Sequence, residues 1–359
     1  MKKFLLALIA PLALGFTACT EDENPGSPIY PDAEPRIAYV LNQGSMFSGI
    51  DGTMDILSLE DSAYQSNAFA AINGQSLGDS PQAGIIYGSK LYVAMYGSNL
   101  VWVLDRQTLR ALGSIPTKEP EGICASEGSI YVSNNDGFVS RIDTTQLKVT
   151  AQMSVGPNPQ HMLAVGRKVY VSISDGYNYA NNYKDGFRVV ELDGLLFEKM
   201  AEYQVGMNPG PLAADVTGNI YVACRGNYGD VAPKVWRIQG EQASEFCDGS
   251  DVEVCGDRLY VVNNYTNYSA TPAETILTYK VYNTTTSQCI NSALLEGQPQ
   301  PEAPIFLDIN PQNGDLYIGS NASASASDYT SPGFLWHYNA EGQFIGKQQT
   351  GVAPCAVIF

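Results

Sequence analysis

A short aromatic-apolar motif recurs along the chain: "KLYVAM" at 90–95, "SIYVSN" at 129–134, "KVYVSI" at 168–173, "NIYVAC" at 219–224, "RLYVVN" at 258–263 and "DLYIGS" at 315–320, with an earlier copy, "RIAYVLN", at 36–42. The repeated tyrosines are Tyr39, Tyr92, Tyr131, Tyr170, Tyr221, Tyr260 and Tyr317, spaced by 53, 39, 39, 51, 39 and 57 residues. A period near 39 with insertions is the length of one four-stranded propeller blade, and seven copies predict seven blades. The stretch 122–153 shows the plan. Strand A is "GICAS", strand B "SIYVSN", strand C "FVSRID" and strand D "LKVTAQM", with tight turns A–B and C–D. The β-branched and aromatic content fits pleated strands.

The ends of the repeat interlock. The first copy lacks a strand A, and the chain finishes in "APCAVIF", a strand A with no strand B after it. Pairing 353–359 with 36–42 closes the ring and removes the exposed edges of an open array. The fold class is therefore an all-β seven-bladed propeller over 36–359, closed by its C-terminal strand.

Residues 1–18 read as a lipoprotein signal peptide, with Lys2 and Lys3 and then an apolar run, Phe4 to Leu14, too short to span a bilayer. "FTAC" follows and resembles a bacterial lipobox, which implies lipidation of Cys19. "TEDEN" directly after it resembles the acidic surface-export signal of Bacteroidota lipoproteins. Residues 19–35 hold four prolines among polar residues and read as a semi-rigid tether. The expected location is the outer membrane, lipid-anchored and facing outward.

Asp and Glu number 37 against 20 Lys and Arg, without a basic stripe, so nucleic acid is a poor partner. Two histidines, His161 and His337, are far apart in sequence, and no zinc spacing, nucleophile elbow, phosphate loop or calcium loop is present. The expectation is a non-enzyme without metal or catalytic cofactor. His337 and the tryptophans Trp102, Trp236 and Trp336 share strand C positions and read as packing residues. Six cysteines besides Cys19 allow several pairings; Cys224 with Cys247 is the least implausible, and free thiols are the default.

In a propeller blade the A–B and C–D turns lie on one face, and the B–C and D–A connections on the other. The A–B turns are minimal, as in "YGSK" and "SEGS". The B–C loops are long: 42–53, 174–186, 225–234, 263–275 and 320–333, and the stretched spacings are assigned mainly to them. Insertions on one face commonly mark a binding face. These loops and the adjoining D–A connections hold the candidate ligand-binding residues Tyr96, Asn135, His161, Tyr177, Tyr179, Tyr183, Arg225, Tyr228, Asn264, Tyr265, Tyr268 and Tyr329. Tyrosine offers broad contact area with little rotamer entropy to lose, and asparagine offers adaptable hydrogen bonding.

The proline before strand A and the aromatic of "LYV" resemble the YVTN/YncE-type propeller repeat across 36–359. Lipobox, acidic tether, seven blades and Tyr/Asn-rich loops together resemble the BtuG-type surface lipoproteins of Bacteroidota. That resemblance implies capture of cobalamin (vitamin B12) or another corrinoid as cargo and docking on a TonB-dependent outer-membrane transporter. It assigns no individual contact residue. A glycan-binding surface lipoprotein and, further off, a propeller lyase or hydrolase are the competing readings.

Overall fold

The computed structural model describes residues 37–324 and 329–359; the expected signal segment, Cys19 and the tether lie outside them. Seven four-stranded antiparallel sheets are arranged as blades. The blade read above as 122–153 has strands Pro120–Ser126, Ser129–Asn134, Phe138–Asp143 and Lys148–Ser154. Ring closure is as expected. Pro354–Ile358 forms the innermost strand of blade 1 and pairs with Ile37–Asn42, placing Tyr39 opposite Ile358 and Val40 opposite Val357.

Position in the blade explains the side-chain pattern. Strand B is covered on both faces by neighbouring blades, so "LYVAM" at 91–95 is buried throughout, whereas the outer strand Lys148–Ser154 alternates exposed and half-buried residues. Seven apolar clusters fill the seven gaps between adjacent blades. The recurring tyrosines sit in them, all at 5% exposure or less. Two show why the residue is tyrosine rather than phenylalanine. Tyr39 donates its hydroxyl to the Arg106 carbonyl and Tyr131 to that of Gly194, each on the C–D turn of the next blade. One ring therefore fills a gap and its hydroxyl ties two blades together.

Two features differ from the sequence reading. Some insertions lie in D–A connections: 66–80 contains the helix Ala68–Asn73, whose Ala68 and Phe69 are buried, and 292–303 buries Leu294 and Leu295. These segments add core where blade 1 has only the two-residue outer strand Tyr64–Gln65 and blade 6 only Cys289–Asn291. The segment 263–275, read as a loop, is largely sheet. Blade 6 strands Arg258–Asn267 and Glu274–Asn283 run on past the ring as a hairpin standing on the long-loop face. Cross-strand pairs such as Thr266 with Thr275 carry the ladder outward.

Six innermost strands begin with proline: Pro81, Pro120, Pro159, Pro209, Pro304 and Pro354. Five of these are entered through a residue of positive φ: Ser80, Glu119, Asn158, Asn208 and Ala353. This left-handed step turns the chain sharply at the channel rim and sets the next residues against the axis. Among the described residues no helix is long and apolar enough to cross a membrane.

Candidate functional site at the channel mouth

A cavity of about 670 Å³ opens on the long-loop face and runs inward along the innermost strands. Its volume falls in the usual range of small-molecule sites, about 300–1,000 Å³. Six of the twelve candidates line it: His161, Arg225, Tyr228, Asn264, Tyr265 and Tyr268. The B–C connections of blades 5 and 6 supply five of them, and the innermost strand of blade 4 supplies His161.

Arg225 follows strand Ile220–Cys224 and is fixed by its backbone N–H bond to the Asn208 carbonyl, 2.9 Å. Its side chain crosses blade 5 over Gly210, where a Cβ would come within 2.7 Å of Cζ. The guanidinium donates to Gln160 Oε1 at 2.8 Å and faces His161 Nε2 at 3.3 Å. Guanidinium nitrogens only donate, so Nε2 is the acceptor and the imidazole is neutral. Burial first, and then the Arg225 charge, drive the His161 pKa down to about 3. His161 is thus a fixed acceptor that orients Arg225.

Tyr265 is 8% exposed and donates its hydroxyl to the Gly229 carbonyl, joining the blade 6 hairpin to the blade 5 loop. Asn264 donates to the Pro304 carbonyl at 3.1 Å. Tyr228, held at φ +56°, and Tyr268 are 49% and 72% exposed, so their rings are free to meet a ligand.

The other candidates lie elsewhere. Tyr96 and Tyr177 share a hydroxyl–hydroxyl bond of 2.6 Å, and Asn135 donates to Tyr177 Oη at 3.0 Å. This cluster spans the tops of blades 2, 3 and 4 outside the cavity lining. Tyr179 and Tyr329 are exposed, and Tyr183 is buried. His337 stacks on Tyr317 at 4.4 Å and bonds Asp315 at 2.9 Å, a packing role. Trp102 and Trp336 spend their indole N–H groups on the Leu77 carbonyl and Ser320 Oγ. The six described cysteines are free.

Sequence reasoning missed the acidic wall. Asp251, Glu253 and Asp308 line the cavity, and Glu121 lies within electrostatic reach of Arg225. Asp251, Glu253 and Asp308 keep some surface because they border the cavity, yet they are remote from bulk water. Burial raises Glu121 to about 7 and Asp251 to about 6, in each case against the pull of Arg225. Glu253 and Asp308 are raised as well, by burial first and then by neighbouring carboxylates. The signal was present: polar residues follow the strand A prolines in "SPQ", "EPE" and "NPQ", and "SDVEVC" places charges at alternate positions of an inner strand. Among the described residues no group of three His, Cys, Asp or Glu side chains is arranged to hold a metal ion.

Comparison with known proteins places this geometry within the propeller class and no finer. No family model matches the chain, and no curated protein matches it. Among solved structures it is similar to hydrazine synthase of Kuenenia stuttgartiensis, with TM-score 0.63 and 14% identity over 77% of this chain and 89% of that one. It is also similar to a quinonprotein alcohol dehydrogenase-like protein of Bacteroides thetaiotaomicron, with TM-score 0.61 and 17% identity over 89% of this chain and 77% of that one. A third is the computationally designed Ika8 protein, with TM-score 0.54 and 13% identity over 84% and 82% of the two chains. At these identities the likeness is one of fold.

Proposed function

We propose that the protein is a surface capture protein that holds a small polar ligand at the channel mouth, with cobalamin as the ligand and an outer-membrane transporter as its recipient. The observation that carries this reading is the convergence of Arg225, Tyr228, Asn264 and Tyr268 on one cavity of the loop-elaborated face. Two exposed rings can stack on a large ligand, while Arg225 and the Asn264 amide address its polar rim. A molecule the size of cobalamin would rest on the mouth and dip into the cavity. The amide-rich edge of a corrinoid matches this mixture of donors and acceptors.

The test is calorimetric titration of the full chain with cobalamin, alongside co-elution of a coloured complex. Tyr228→Ala and Tyr268→Ala should each weaken binding about thirtyfold, the loss that truncating a central aromatic anchor brings. Lys168→Ala, on the opposite face and paired there with Glu191, should bind as the wild type does. Equal affinity across all variants would reject the mouth. Absence of wild-type binding would reject cobalamin. Glycan binding is the second reading, favoured by the exposed rings of Tyr177 and Tyr179 on the long-loop face.

A further inference from the structure

The guanidinium of Arg225 is a positive charge that the chain positions and leaves unpaired. Among the described residues no carboxylate lies within ion-pair distance of it. Other arginines are treated differently. Arg167 pairs with Asp193 and Arg188 with Glu202, while Arg141 and Arg237 lie over the rings of Phe197 and Phe246. The side-chain partners of Arg225 are both neutral: the Gln160 amide oxygen at 2.8 Å and His161 Nε2 at 3.3 Å. They fix the direction of the group without cancelling its charge.

The partner at 160 makes the point sharply. Gln160 follows Pro159 as Glu121 follows Pro120 in the preceding blade. A carboxylate at this rim position would have closed an ion pair with Arg225, and an amide stands there instead. A guanidinium has five N–H donors, of which these contacts use two. The rest find no acceptor among the described residues, although Arg225 is half-buried and lines the cavity. Holding a half-buried cation without a counter-charge is costly. The chain also gives up a side chain at Gly210 to admit the group, since a Cβ there would lie 2.7 Å from Cζ.

Acids are near but not paired. Glu121 and Asp251 act on the guanidinium from beyond ion-pair distance. Burial raises them to about 7 and about 6, so near pH 6 neither opposes an incoming anion with its full charge.

We propose that Arg225 anchors a phosphodiester anion of the mouth ligand through the free N–H donors of its guanidinium. The assignment rests on the reading of the mouth as a corrinoid site, because cobalamin carries a phosphodiester between its corrin ring and its nucleotide base. A planar guanidinium matches phosphate oxygens with two parallel N–H bonds, which gives direction as well as attraction. Tyr228, on the same loop, and Tyr268 are left for the flat parts of the ligand.

The experiment titrates the full chain calorimetrically at about pH 6, where Glu121 and Asp251 are largely or partly protonated. Two ligands are compared: cobalamin, and cobinamide, the same corrin without the phosphodiester and base. Arg225→Gln should weaken cobalamin about tenfold or more, the loss of a charge-assisted hydrogen bond, and cobinamide by less than about twofold. Gly210→Ala, which displaces the guanidinium without removing it, should show the same selectivity and keeps the test decisive if Arg225→Gln does not fold. Equal losses for the two corrinoids, or no loss for either, would overturn the assignment and make Arg225 a link between blades 4 and 5, with the mouth reading intact. Absence of wild-type binding to both corrinoids would overturn the mouth reading and this assignment with it.

Discussion

Arg225 occupies the space that a side chain at Gly210 would need: a Cβ there would lie 2.7 Å from Cζ and 3.0 Å from Nε and Nη1 of the guanidinium. Gly210 follows Pro209, and its counterparts after Pro81, Pro120 and Pro159 are Gln82, Glu121 and Gln160. Blade 5 has given up its own rim side chain, and the residue that follows its second strand reaches the cavity instead. Gly210 does not have a positive φ, so the glycine is required by Arg225 and not by the backbone.

Gly210→Ala should therefore act on the ligand and not on the fold. Affinity at the mouth should fall as far as in Arg225→Ala, while the melting temperature changes by no more than about 2 °C, equivalent to about 1 kcal/mol in a chain of this size. The double variant should bind no worse than either single one, the mark of strong coupling. Additive losses in calorimetric titration would show that Gly210 has a separate role.

Removing residues 353–359 should open the ring. Val357 and Ile358 are buried, and Pro354–Ile358 is the innermost strand of blade 1. Losing two such side chains costs roughly 4 kcal/mol or more. A melting temperature lower by roughly 8 °C or more is expected in scanning calorimetry. An unchanged melting temperature would refute closure through this strand.

Stability should fall as the pH rises from 5 to 7.5. Folded, Glu121 titrates at about 7 and Asp251 at about 6, with Glu253 and Asp308 also raised; unfolded, each titrates near 4. The folded chain thus holds extra protons in this range and loses the benefit as they leave. His161 works in the opposite direction. Held at about 3 when folded and near 6.5 when unfolded, it makes folding more favourable as the pH rises toward 6.5. Four carboxylates outnumber one histidine. The Tyr279 and Cys355 side chains at the same wall keep one charge state throughout, both pushed up by burial. Melting temperatures at the two pH values check the sign, and Glu253→Gln with Asp308→Asn should flatten the slope.

Tyr177→Phe should separate the outer tyrosine cluster from the mouth. Deleting its hydroxyl removes the bonds to Tyr96 and Asn135. The expected loss is about 1 kcal/mol in urea denaturation, with cobalamin affinity unchanged.

The repeat made the blades legible because strand B is buried on both sides and tolerates little besides its apolar-aromatic pattern. The closing strand was legible because 353–359 had no partner of its own type nearby. What escaped were features set by neighbours distant in sequence. Tyr265 reads as a loop residue for the ligand, yet its hydroxyl is spent on Gly229 of the next loop. Tyr183 carries the same label and is buried. The acids Asp251, Glu253 and Asp308 belong to innermost strands, and only the curvature of the ring turns those faces toward one shared axis. Arg225 was singled out, but the empty space at Gly210 that admits it is invisible until blade 5 is built.

The closing pair of strands also fixes a direction. Ile37–Asn42 runs toward the long-loop face and Pro354–Ile358 runs away from it, antiparallel to one another. Ile37 and Phe359 therefore both sit on the short-turn side, with the cavity opening on the far side. Any attachment through the residues preceding Ile37 pulls on the molecule from underneath, like the stem of a cup, and leaves the rim pointing away from the surface that holds it.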